Sequence, residues 1–114
     1  MKLFYFFIIL FISSNSFSEI KEEDRQESWK LGIAVQITMT CSWNSFNDKA
    51  KIEENFRKFS KKLYSRSSDR DEMLEWYYEG LDSGSMIKSS QCATGVNKKK
   101  FTNKTKKALK GKFW

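Results

Sequence analysis

The chain has 114 residues, with no His, no Pro, and 17 Lys beside 4 Arg. Such a length holds one domain, and the lack of His excludes every Ser-His-Asp, Cys-His or His-ligated metal site. A total of 21 basic against 14 acidic side chains gives a net charge of +7, and the absence of Pro favours long uninterrupted helices.

Lys2 precedes ten apolar residues, Leu3 to Ile12, and a polar stretch then ends in Ser16-Phe17-Ser18. This pattern predicts a secretory signal peptide over residues 1–18. A helix of about ten residues spans roughly 15 Å, half the hydrocarbon core, so a permanent membrane anchor is the poorer reading. Small side chains at Ser16 and Ser18 place cleavage before Glu19, and no Cys follows there to carry a lipid. The mature chain, expected as a single helical domain over 19–114, keeps 20 basic and 14 acidic side chains in 96 residues, a net +6. About a third of it is hydrophobic, which is lean for so small an interior. The expected location is periplasmic or secreted.

Cys41 and Cys92 are the only cysteines. In an oxidising compartment an even number normally pairs, so one structural disulfide is expected. Closing a loop of about 50 residues contributes roughly 4 kcal/mol, comparable to the whole stability of a small domain. A redox-active pair is the weaker reading, because there is no Cys-x-x-Cys spacing; free thiols and an intermolecular bond stay open.

Residues 19–28 are mostly charged and read as a solvated lead-in, with Ser28 available as a helix cap. From Leu31 to Trp43 apolar residues alternate strictly with small or polar ones, the period of a strand. No second strand pattern exists to pair with it, so a central helix wrapped by others is the favoured reading and a strand paired across a dimer the alternative. Asn47 or Asp48 caps the next helix, whose Ile52, Phe56, Phe59 and Leu63 form one stripe; Glu53 with Arg57 and Glu54 with Lys58 stand in the favourable i,i+4 order. Asp69 with Glu72 reads as the acidic start of a third helix. It carries Met73, Leu74, Trp76, Tyr77, Tyr78 and Leu81, with Gly80 and Gly84 either opening a close helix contact or ending the helix. Asn97 starts a last helix over 97–114, with Phe101, Ala108, Leu109 and Phe113 on its apolar side.

Ser85-Met86-Ile87-Lys88 matches Ser-x-x-Lys, a pattern that chance alone supplies in a chain this rich in Ser and Lys. Glu72, Glu75, Glu79 and Asp82 occupy neighbouring turns of the third helix; carboxylates so placed serve acid-base or metal chemistry, but a solvated helix face accounts for them, and no catalytic residue, metal or cofactor is expected. Trp76 and Tyr77 are expected in the core and Tyr78 partly exposed. Residues Val96 to Trp114 hold eight lysines and no acid. Lys98, Lys99, Lys100, Lys104 and Lys107 are therefore candidates for contact with an anionic surface, and Phe113-Trp114 behind them would suit an interfacial anchor. A solvated face that keeps the protein soluble is the plainer reading. Export disfavours nucleic acid as the partner.

In the C-terminal half, Tyr77-Tyr78-Glu79-Gly80-Leu81-Asp82 is similar to a Tyr-x-x-Gly-x-x-Asp helix, and Cys92-Ala93-Thr94-Gly95-Val96 to a Cys-Pro-x-Gly-Val turn, followed by a closing helix. In these features the chain resembles the small periplasmic immunity proteins that neutralise cell-wall amidases delivered by type VI secretion, with Cys41 answering to an upstream cysteine. Proline is missing from the turn, and the closing helix is richer in lysine. The resemblance implies an exported, disulfide-bonded helical fold and a protein partner in the envelope.

The expected architecture is thus all-α, a small bundle of about four helices held by one disulfide. The expected function is non-enzymatic protein binding, immunity- or inhibitor-like, through Tyr78, Glu79 and Asp82. The alternative is docking of the lysine-rich end on anionic lipid or polymer. Oligomeric state is left open.

Overall fold

The computed structural model describes residues 20–93 and 95–114; the expected signal peptide lies outside them. Four helices follow one another: α1 (Glu22–Thr40), α2 (Phe46–Leu63), α3 (Ser67–Gly84) and α4 (Gly95–Leu109), with a short 3-10 turn at Ser89–Gln91. Cross-contacts fix their directions. Tyr64, at the end of α2, meets Asp24 near the start of α1; Arg25 meets Glu72 while Gln36 lies against Gly84; Trp114 returns to Asp24. The helices therefore run up, down, up and down.

The alternating segment is helical, as favoured. A helix closes its hydrogen bonds locally, whereas a lone strand leaves them open. Leu31, Gly32, Ala34, Val35, Ile37 and Thr38 are all buried, the burial expected of a central helix. The charged lead-in, in contrast, belongs to α1, which begins at Glu22, and both Asp24 and Ser28 are buried within it. Ser28 is not a cap; its hydroxyl donates to the Asp24 carbonyl at 2.6 Å. Asp24 accepts from the Tyr64 hydroxyl and from Trp114 Nε1 at 2.9 Å, and these donors satisfy a carboxylate that would otherwise be costly to bury.

α1 ends in a Schellman arrangement: the Ser42 amide bonds to Met39 O at 3.0 Å and the Trp43 amide to Thr38 O at 2.8 Å. Ser42 takes the left-handed position, φ +59°, where Gly is usual. Helix α2 is capped by Ser45, not by Asn47 or Asp48. The Asp48 amide donates to Ser45 Oγ at 3.1 Å and the Ser45 amide to Asp48 Oδ2 at 2.9 Å, a reciprocal capping box. Ile52 and Phe56 are fully buried and Phe59 packs against them. Leu63 is exposed instead, because Tyr64 occupies the core at that end. Glu54 and Lys58 pair at 3.6 Å, but Arg57 reaches across to Tyr78 Oη at 2.9 Å.

The α1–α3 contact rests on glycine. A Cβ built on Gly32 would fall 2.1 Å from Tyr77 O and 2.9 Å from Gly80 Cα; one on Gly80 would fall 2.1 Å from Trp29 O. Real side chains do not fit such gaps, so the two backbones touch. Gly84 extends the contact to Gln36 and Ile33 and does not end α3 as a left-handed cap, since its φ is not positive.

Cys41 and Cys92 are bonded, with Cα atoms 5.5 Å apart, within the usual span. The bond ties the end of α1 to the connection between α3 and α4. Helix α4 stops at Leu109 rather than continuing to 114. Gly111 (φ +77°) completes a second Schellman arrangement, Gly111 to Ala108 O at 3.0 Å and Lys112 to Lys107 O at 2.8 Å. Asn55 Nδ2 adds a bond to Ala108 O at 2.9 Å. The reversal packs Phe113 and Trp114, both half-buried, against the core, where Phe113 stacks on Phe59 at 4.8 Å and Trp114 meets it edge-on at 5.1 Å.

Candidate functional site

Two helices carry the predicted surface residues. On α3 the core side is the stripe Met73, Tyr77, Gly80, Gly84, spaced four, three and four. A second stripe, Asp71, Glu75, Tyr78, Asp82, repeats that spacing and faces solvent. Together with Glu79 and Trp76 these residues line an open depression. The structure thus brings Tyr78, Glu79 and Asp82 together and adds Asp71, Glu75 and Trp76. Asp71 lies four residues before Glu75, so the helical period alone would have found it.

Trp76 is not a core residue, contrary to expectation. It lies one residue, or about 100° of helix, from Tyr77, and is 38% exposed while Tyr77 is fully buried. Its Nε1 donates to Glu72 Oε2 at 3.2 Å, an oxygen that also takes Arg25 Nε at 2.8 Å. That pairing raises the Arg25 guanidinium above its ordinary range, through the Glu72 hydrogen bond first and Glu22 next. Tyr78 is 41% exposed. Its hydroxyl accepts from Arg57 and its ring leans on Tyr77 at 5.5 Å between centroids, so it is held in place while one face remains open.

Asp71, Glu75, Glu79 and Asp82 are exposed and make no ion pair among the described residues. The face therefore offers four uncompensated carboxylates beside two pinned aromatic rings. This combination recognises cations: carboxylates accept from guanidinium or ammonium groups, and aromatic faces attract the same groups through their quadrupole. Among the described residues no three His, Cys, Asp or Glu side chains converge as a metal site. Ser85 Oγ donates to the Asp82 carbonyl at 2.5 Å, closing the end of α3.

The lysines of α4 are differently placed. Lys98, Lys99, Lys100 and Lys107 are exposed and Lys104 half-buried. Lys104 pairs with Glu27 at 3.2 Å, and Lys98 lies over the Trp43 ring at 5.6 Å. Burial raises the affinity of the Glu27 carboxyl for its proton, but hydrogen bonds and charge from Lys104, then Lys30, outweigh it and hold the carboxyl below its ordinary 4.5. Phe113 and Trp114 are packed among Phe56 and Phe59, so the expected interfacial anchor is not presented. No helix among the described residues is long and apolar enough to cross a membrane.

Family models, curated proteins and solved structures give no match to this chain.

Proposed function

We propose that this chain is an exported, non-enzymatic helical module that binds a basic protein partner through the acidic and aromatic face of α3, in the manner of an immunity or inhibitor protein. The observation that carries this reading is the set of four exposed, unpaired carboxylates, Asp71, Glu75, Glu79 and Asp82, around Trp76 and Tyr78 on one rigid helix. Rigid aromatic anchors inside a charged rim are the usual composition of a protein-binding hot spot, and an excess of negative charge speeds encounter with a basic partner. The disulfide suits an oxidising compartment. Co-purification of the full chain from its native envelope, beside a Glu79→Lys, Asp82→Lys variant, tests it. A stoichiometric partner retained by the parent and lost by the variant supports the reading; equal retention overturns it.

A second reading rests on the charge of α4. Seven of the eight lysines between Lys98 and Lys112 have no carboxylate partner among the described residues, which leaves a basic face for an anionic envelope surface. With Phe113 and Trp114 packed against the bundle rather than projecting as an anchor, docking of this face on a surface would be mainly electrostatic and would weaken steeply at high salt. Flotation with anionic liposomes at low and high salt separates the two readings.

A further inference from the structure

Between α1, α4 and the returning C-terminal residues lies a cleft of about 290 Å³. Its apolar lining comes from the half-buried Phe113 and Trp114, with the edge of Leu31, itself 1% exposed, reaching it from α1. Its rim is cationic: Lys100, Lys107 and Lys112 line it and have no carboxylate partner among the described residues. Lys104 and Glu27 also line it, but they neutralise one another at 3.2 Å. An apolar lining beside two free ammonium groups, Lys107 and Lys112, and a third, Lys100, that rests over the Phe101 ring at 5.8 Å, matches a ligand with an apolar body and an anionic head. The volume lies at the lower end of small-molecule sites, roughly 300 Å³, which admits one alkyl chain and not a two-chain lipid. Trp114 is fixed by its indole bond to buried Asp24, so the floor is formed before any ligand arrives.

We infer that this cleft binds a single-chain amphiphile with a carboxylate head, the chain lying over Phe113 and Trp114 and the head among Lys100, Lys107 and Lys112. The site is separate from the α3 face and does not depend on the reading proposed for it. The test uses the full folded chain and nitrogen-proton correlation spectra during titration with laurate below its micelle concentration. Laurate is expected to shift the Trp114 indole and the amides of Leu31, Lys107 and Lys112. Replacing Lys107→Gln with Lys112→Gln should weaken it about tenfold or more, whereas Lys51→Gln with Lys88→Gln, the same loss of charge elsewhere, should leave the affinity unchanged. Three results would overturn the inference: equal shifts with uncharged dodecyl maltoside, equal affinity for inorganic phosphate alone, or shifts with phosphatidylglycerol vesicles and none with laurate.

Discussion

Tyr77 places its hydroxyl inside the core with no hydrogen-bond partner among the described residues, while its ring packs on Phe56 at 5.4 Å. An unsatisfied buried hydroxyl forfeits roughly 1–3 kcal/mol of solvation, so Tyr77→Phe should leave stability unchanged or raise it by about 1 kcal/mol in urea denaturation. Glu27 behaves in the opposite sense. Its folded carboxyl lies below 4.5 because of Lys104 and Lys30, so its contribution is present above the unfolded value and is lost as pH falls through the folded one. A partly exposed pair of this kind is worth about 1 kcal/mol or less. Unfolding midpoints measured from pH 7 to pH 3 should show a decline that is shallower in Glu27→Gln. The local spacing of residues on α3 showed that Tyr78, Glu79 and Asp82 share an exposed face. It did not show that Asp24 is buried, because the donors that satisfy it, Tyr64 and Trp114, lie 40 and 90 residues away.

At the scale of the helices, small residues decide how near two backbones come. The spacing of Gly80 and Gly84 allowed a close-packing face, with a helix end at Gly84 as the alternative, but their counterpart Gly32 was hidden in the alternation of residues 31–43, where it stood among the small or polar positions. Gly80→Ala forces a methyl to within 2.1 Å of Trp29 O. Since the obstacle is backbone, α1 and α3 must separate, and overpacking of this kind costs about 1–3 kcal/mol or more. Urea unfolding should register that loss, whereas Gly111→Asn, at a left-handed position open to solvent, should cost far less. Gly111 also explains why α4 ends before the expected position. A glycine two residues after Leu109 is a standard stop, and lysine-rich sequence on both sides obscured it.

For the whole molecule, four helices around a lean core need the cross-link that the two cysteines supply. Cys41→Ser with Cys92→Ser removes the constraint on about 50 residues of unfolded chain, and thermal unfolding should show roughly 4 kcal/mol of lost stability, less where native strain offsets it. The bundle, its helix number and the disulfide were legible in the sequence because each rests on periodicity or on cysteine count. The inward turn of Phe113 and Trp114 was not, since it depends on Phe56 and Phe59 from another helix. This packing holds the two aromatic residues against the bundle, and the acidic face of α3 is the surface through which the proposed protein partner would bind. The most direct test of that binding is a photo-crosslinking residue in place of Tyr78 in the native envelope, compared with the same residue in place of Lys110. One dominant adduct, with a basic protein, is expected from position 78 and none from position 110; equal adducts from both, or none from position 78, would contradict binding through this face.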